Sequence, residues 1–248
     1  MHPSLGTLGH RPWARPGGPW IMAQRWHDLL FAHWPLPPEK MRELVPPELE
    51  HDCFEGQSWI GIVPFRMSGV RLKGTPGVPG LSAFPELTVR TYVKLEDKPG
   101  VWFFSLDAAS RVAVEVARAW FHLPYFSAEM AAAGEGAEIA YRSLRTDRRG
   151  RDALLVARYR PVGDCFLAKT GTLAHFLTER YCLYARRQQG RLLRAEIHHA
   201  PWQLQNASAT FEKNTMTAGL GVELKGAPLL YFSKLQEVVV WAPEPVRT

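Results

Sequence analysis

Apolar and polar positions alternate along this chain in short segments, and long helical stripes are absent. The clearest case is residues 84–107. Phe84-Pro-Glu-Leu-Thr-Val-Arg-Thr-Tyr-Val is followed, past a Pro-Gly turn, by Val101-Trp-Phe-Phe-Ser-Leu-Asp, which predicts a β-hairpin. Alternate side chains of a strand share a face. Glu86, Thr88, Arg90 and Tyr92 are therefore expected on one side, and Leu87, Val89, Thr91 and Val93 on the other. The same alternation sorts Val101, Phe103, Ser105 and Asp107 against Trp102, Phe104 and Leu106. Facing solvent, the polar side is ordinary. Facing the inside of a barrel, it is a small polar site walled by aromatic rings.

The remaining segments fit the same architecture. Residues 26–34 form an aromatic block ended by Pro35, Pro37 and Pro38. Residues 38–44 predict a short helix with proline in its first turn, and residues 58–65 a strand. Residues 68–82 carry Gly69, Gly74, Gly77, Gly80, Pro76 and Pro79 and read as a loop. Residues 110–121 predict a helix with Ser110 as N-cap and Val112, Val116, Ala119 and Trp120 as its apolar stripe. Residues 138–146 and 153–161 form a second hairpin. Residues 172–179 form a short helix, and residues 181–187 and 191–199 a third hairpin around Gln189-Gly190. Residues 229–241 form a closing strand. Short strands at regular spacing with brief helices predict a barrel or sandwich with helical caps, not a doubly wound α/β sheet.

Composition adds bounds. The 248 residues suit one large β-barrel domain over 22–248. Residues 1–21, rich in Pro, Gly, Arg and Trp, are expected to form an extended arm tacked down by Trp13 and Trp20. The arm lacks the apolar core of a secretory signal, and no apolar run approaches the roughly 18 residues of a membrane span. The three cysteines, Cys53, Cys165 and Cys182, form no Cys-x-x-Cys; they suggest neither a disulfide framework nor a zinc site, and they suit a reducing cytoplasm. The net charge is +6. Arg142, Arg145, Arg148, Arg149 and Arg151 cluster at one turn, and Arg186, Arg187, Arg191 and Arg194 at another. Without aromatic RNA-binding signatures or a helix-turn-helix, these are expected to be solvated tips, not a nucleic-acid footprint.

Several chemistries are disfavoured. No Gly-x-Gly-x-x-Gly or P-loop opens a helix, so no nucleotide cofactor is expected. No Gly-x-Ser-x-Gly marks a nucleophile elbow. His198 and His199 are adjacent, and neighbours on a strand point to opposite faces, so no metal site is expected. The charged set of the first hairpin stands out. An arginine in a dry cavity is costly unless paired with a carboxylate or an anionic ligand, and its planar fork suits carboxylates. Arg90, with Tyr92, Phe103 and Ser105 around it, is the candidate anchor for a small acid. Glu86 and Asp107 are the candidate proton carriers. The alternative is a structural Arg–Glu pair or a solvent-exposed face.

Five segments together resemble one family. They are Trp26-His-Asp-Leu-Leu-Phe-Ala-His-Trp-Pro, Trp59-Ile-Gly-Ile-Val-Pro-Phe, Phe84-Pro-Glu-Leu-Thr-Val-Arg-Thr-Tyr-Val, Val101-Trp-Phe-Phe-Ser-Leu-Asp and Phe176-Leu-Thr-Glu-Arg-Tyr. Over about residues 24–243 they are similar to the YqjF-like proteins, a family of unknown function. The resemblance implies a fold like acetoacetate decarboxylase: a mostly antiparallel β-barrel around a cavity, with short helices at its rim. That decarboxylase works through an activated lysine. The matching place here, Leu123-Pro124-Tyr125-Phe126, has Tyr125 and Phe126 where the lysine pair would stand. Imine-based decarboxylation is therefore not expected, and Tyr125 joins the candidate proton carriers. Glu86 takes the place of the decarboxylase's rim glutamate. Lys94 and Lys169 are the remaining lysines near the rim, and such side chains usually snorkel to the surface. Two readings follow: a lyase, hydratase or isomerase acting on a small keto or carboxylic acid, or a non-catalytic barrel holding an apolar or aromatic ligand. Exposed strand edges leave room for a homo-oligomer.

Overall fold

A computed structural model describes residues 2–78, 82–134, 138–187 and 190–246. Pro79 and Gly80 of the glycine-rich stretch, and Gln189 of the third hairpin, lie outside the described residues. The aromatic block lies in β1 (Met22–Leu36), and α1 (Pro38–Leu44) starts on its proline, where a missing N–H costs nothing. Next come β2 (Glu50–His51), β3 (Ser58–Leu72), β4 (Phe84–Leu95) and β5 (Lys98–Ala108). The Ser110 hydroxyl caps α2 (Arg111–Trp120), accepting from the Ala113 N–H at 3.3 Å. β6 (Tyr125–Ala133), β7 (Ile139–Arg145) and β8 (Leu154–Leu167) precede α3 (Leu173–Thr178), which Thr172 caps. β9 (Cys182–Arg186), β10 (Leu192–His198), β11 (Gln203–Asn214), β12 (Leu229–Val240) and β13 (Glu244–Pro245) complete the chain.

The fold is mostly β and mostly antiparallel, with short helices at the rim. Among the described residues only the pairings of β5 with β6 and with β9 are parallel. Strand pairing closes on itself twice. One circuit runs β10–β9–β5–β4–β3–β1–β12 and returns to β10. The other leaves β5 through β6, β7, β8 and β11 to reach β12. The two rings share the wall β5–β4–β3–β1–β12, and the pleat of that wall feeds both interiors. Phe31, Val63, Phe65, Phe84 and Leu106 face the first ring. Leu30, Ala32, Ile60, Ile62, Leu87 and Val89 face the second, where they meet Tyr141, Leu155 and Tyr159 of the outer strands. Both faces of the wall are thus apolar, which long runs such as Trp59–Phe65 require.

Two corrections concern the caps and tips. Most of the stripe expected to anchor α2 is its outer face: Val112 and Trp120 are exposed at 53% and 42%, and Val116, exposed at 47%, reaches the cavity only at its edge. Val114 and Phe121 pack inward instead. The arginine tip is also not simply solvated. Arg145 is buried against Asp107, and Arg149 bridges Asp147 and Glu115. Strands β6 and β11, and the extension of β3 to Leu72, appear where no strand was expected. β6 reads Tyr-Phe-Ser-Ala-Glu-Met-Ala-Ala-Ala, a composition of low strand propensity that pairing with β7 makes extended.

Residues 2–21 run along the outside of β10 and β12. Arg11 and the Trp13 indole N–H both reach the Glu196 carboxylate, at 2.6 and 2.8 Å. His198 contacts the Ser4 carbonyl through Nε2 at 2.9 Å, and Trp20 packs on Ala23, Val239 and Trp241.

Candidate functional site

A cavity of about 170 Å³ lies inside the seven-strand ring, and every strand of that ring contributes to its lining. Its caps sit at opposite ends of the β4–β5 hairpin. α2 follows directly on Ala108 and covers one end with Ala113, Val116 and Ala117. The α3 turn, through Thr178 and Arg180, covers the other.

The hairpin places its polar residues differently from strict alternation. Glu86, Thr88, Arg90 and Tyr92 do share a face, as their partners Ala108, Leu106, Phe103 and Val101 show. Between Val89–Ser105 and Arg90–Phe103 the register slips by one. Phe104 is the extra residue, and a bulge of this kind reverses the facing of everything beyond it. Val101, Phe103 and Leu106 therefore face the cavity, while Ser105 and Asp107 face the second ring beside Val89 and Leu87. Neither Ser105 nor Asp107 lines the cavity, which removes them from the expected constellation. Tyr92 is buried behind the lining.

At the α2 end, Glu86 is 3% exposed among Phe84, Leu106, Phe121 and Leu123. Its carboxyl meets the Tyr125 hydroxyl at 3.1 Å. Its own carbonyl accepts from the Tyr141 hydroxyl at 2.7 Å, which pins the strand. Burial raises the Glu86 carboxyl to about 8; the Tyr125 hydrogen bond opposes that rise and the Asp107 charge adds to it. Tyr125 is pushed well above its ordinary value, chiefly by burial. The pair therefore presents a neutral carboxyl and a neutral phenol at neutral pH. Each can donate a hydrogen bond, and the carboxyl can give up a proton.

At the α3 end stand two arginines. Arg180 is compensated: it pairs with Asp52 at 2.6 Å, donates to the Phe176 carbonyl and lies over the Phe176 ring at 4.2 Å. Arg90 is not. Among the described residues it pairs with no carboxylate, and its one hydrogen bond is to the Leu177 carbonyl at 3.4 Å. Its Nε is buried without a partner. The guanidinium lies 5.4 Å from the Phe31 centroid and 5.9 Å from that of Tyr92. Phe31 also meets Trp202 edge-on at 4.9 Å, and the buried Trp202 indole N–H lacks a partner among the described residues. A row His33–Gly61–Arg90 crosses three strands. A Cβ on Gly61 would stand 2.9 Å from His33 Nε2 and 3.5 Å from Arg90 Cγ, so glycine lets both side chains fold over the wall. Tyr92 donates to the Leu177 carbonyl at 2.6 Å, so its oxygen accepts from the His33 Nε2–H, also at 2.6 Å. Burial and Arg90 hold His33 well below its ordinary range, hence neutral. Two carboxylates stand near these arginines, Asp52 on Arg180 and Glu179, which accepts from the Trp202 backbone N–H at 2.9 Å; among the described residues Arg90 pairs with neither.

Asp107 belongs to other surroundings. It accepts from Arg145 Nη2 at 2.7 Å and Nε at 3.0 Å. Burial raises it to about 6, against the pull of Arg145. No lysine lines the cavity among the described residues. Lys94 pairs with Glu50 at 3.0 Å, and Lys169 is exposed. No group of three or more His, Cys, Asp or Glu converges among the described residues, and no helix there is long and apolar enough to cross a membrane. Arg180, His199 and Trp202 are cavity residues that sequence reasoning missed. Arg180 lay inside the Phe176–Tyr181 motif, but its partner Asp52 is 128 positions away.

The chain is 46% identical over 227 residues to the uncharacterized protein YqjF of Bacillus subtilis (strain 168), covering 91% of this chain and 93% of that one. Among solved structures it is similar to the enduracididine biosynthesis enzyme MppR complexed with pyruvate (TM-score 0.63, 12% identity, covering 95% and 92% of the two chains). It is also similar to the acetoacetate decarboxylase of Legionella pneumophila (0.60, 13%, 96% and 93%). A third is an acetoacetate decarboxylase-like enzyme from Sphingomonas wittichii RW1 (0.63, 10%, 97% and 100%). At these identities the structural likeness concerns the fold. The profile of DUF2071, uncharacterized conserved proteins, matches residues 23–237, and the chain belongs to that family.

Proposed function

We propose that this protein binds a small keto or carboxylic acid in the cavity of the seven-strand ring and moves a proton on it, as a lyase, hydratase or isomerase does. The observation that carries the reading is Arg90: a guanidinium lining a largely apolar cavity with no carboxylate partner among the described residues. A carboxylate there would supply the missing counter-charge. Glu86, held neutral at the other end, would donate to an oxygen of the ligand. Tyr125 would stabilise whichever form of Glu86 the transfer leaves behind. A neighbour of the same fold complexed with pyruvate supports an acid in such a cavity. The lining without lysine disfavours an imine route. The predominantly apolar and aromatic lining supports a second reading, a carrier of an apolar ligand, in which Arg90 only braces the wall.

The test is a thermal-shift screen of keto, hydroxy and aromatic acids against wild type and Arg90→Met. A ligand at a hundred times its Kd stabilises by about 2.7 kcal/mol, roughly 5–10 °C here. Shifts confined to acids and lost in a folded Arg90→Met protein support the acid site. Shifts from neutral apolar compounds that survive Arg90→Met favour the carrier.

A further inference from the structure

We infer that the ligand is elongated: a carboxylate at one end, a neutral carbonyl or hydroxyl at the other, and an apolar chain or ring between them. The inference rests on the acid-binding reading above and adds its substrate class. Three observations carry it. First, the two polar groups of the lining that face each other along β4 are four residues apart on one face. At about 3.3 Å per residue their Cα atoms are about 13 Å apart. Second, the ends differ in kind. The Arg90 end holds a guanidinium with no carboxylate partner among the described residues, and the unpartnered Arg90 Nε and Trp202 indole N–H both lie near Phe31. The Glu86 end offers a neutral carboxyl beside a phenol. Third, Leu106, opposite Thr88, lines the hairpin between those ends, Phe103 stands opposite Arg90, and the helical caps close beyond them.

A short acid such as pyruvate cannot touch both ends. With both side chains standing roughly perpendicular to the sheet, that spacing carries to their tips, and about 3 Å for a hydrogen bond at each end leaves about 7 Å between the two oxygen-bearing groups of the ligand. An acid group at the Glu86 end is disfavoured, because among the described residues no cation lines that end to meet a second charge. A dicarboxylate is thus a poorer fit than an oxo- or hydroxy-acid of middle chain length.

The test is calorimetric titration of the full chain with three series: oxo-acids from pyruvate through levulinate to an oxo-octanoate, the matching plain alkanoates, and the matching dicarboxylates. Wild type, Glu86→Leu and Glu86→Gln are compared, with unfolding temperatures as a folding control. The expected result is an affinity that rises about tenfold or more from pyruvate to the middle-length oxo-acids. Glu86→Leu should erase the advantage of an oxo-acid over the alkanoate of equal length while leaving alkanoate binding intact. Glu86→Gln, which keeps a donor, should preserve that advantage. Wild type, but not Glu86→Gln, should lose it as pH passes about 8, where Glu86 ionises. Acids that bind with no dependence on length or on the distal oxygen would overturn the elongated ligand and leave the acid site standing. Failure of every acid to bind would overturn the acid site itself, and this inference with it.

Discussion

Glu86 and Asp107 are two buried carboxyls on the same pair of strands, one register step apart, and they face opposite interiors. Asp107 is fully buried and held by two hydrogen bonds from Arg145. Its ring is lined with tyrosines and aliphatic side chains. Among the described residues the Glu86 carboxyl bonds only a tyrosine, at the edge of a cavity, and the arginine on its own face stands four residues away with no carboxylate partner. In the second ring the buried carboxylate has an arginine partner, although its Oδ2 accepts no hydrogen bond among the described residues. The other leaves a cation open and a carboxyl neutral, which costs stability and suits a ligand. An ion pair in a strand pattern therefore says little until the face of each member is known.

The largest effect expected from breaking this contrast is at Arg145. Arg145→Ala leaves the Asp107 carboxylate buried and alone, at a cost of about 3–5 kcal/mol. Urea unfolding at neutral pH should show it, and Arg145→Ala combined with Asp107→Asn should recover part of the loss. An Arg145→Ala protein of wild-type stability would remove the structural role given to that pair.

Next is the pH dependence at Glu86. Its carboxyl titrates near 8 when folded, against an ordinary 4.5. Below the ordinary value both states are protonated and the shift contributes nothing. As pH rises toward 8 the unfolded chain releases its proton while the native one holds it, so wild type loses stability, by up to about 1.4 kcal/mol per pH unit. Glu86→Gln should lack that loss. The gap between the two proteins should widen from about pH 5 to pH 8 and then level off. Parallel curves across that range would contradict a neutral Glu86.

Gly61→Ala should cost about 1–3 kcal/mol by overpacking, since its methyl would meet His33 Nε2 at 2.9 Å. Arg90 Cγ would stand at an ordinary 3.5 Å, so the variant should disturb the His33–Tyr92 hydrogen bond more than it disturbs acid binding. The smallest effect is at Arg90 itself. Arg90→Met without ligand should change stability by about 1 kcal/mol at most, since no ion pair is broken. A loss as large as that of Arg145→Ala would make Arg90 a structural residue.

Much of this architecture is legible in the chain. The alternation of residues 84–93 puts Glu86 and Arg90 on one face, and the strand pairing agrees. The bulge at Phe104 is not legible. Trp102, Phe103 and Phe104 are apolar on both faces of the strand, so nothing in their order marks the extra residue. That silent insertion is why Ser105 and Asp107 were grouped with the cavity. The Asp107–Arg145 pair was hidden for a related reason. Arg145 sits among four other arginines near one turn, and only the packing of β7 beside β6 selects it for burial. The inward face of α2 was misread because Val112, Val116 and Trp120 outweigh Ala113 and Ala117 in bulk.

The protonation of Glu86 is the central claim and can be read directly. Infrared difference spectra of wild type minus Glu86→Gln, taken from about pH 5 to pH 9, isolate this one carboxyl. The account predicts a protonated-carboxyl band that persists through neutral pH and converts to carboxylate near 8. A carboxylate signal already complete at about pH 6 would contradict it.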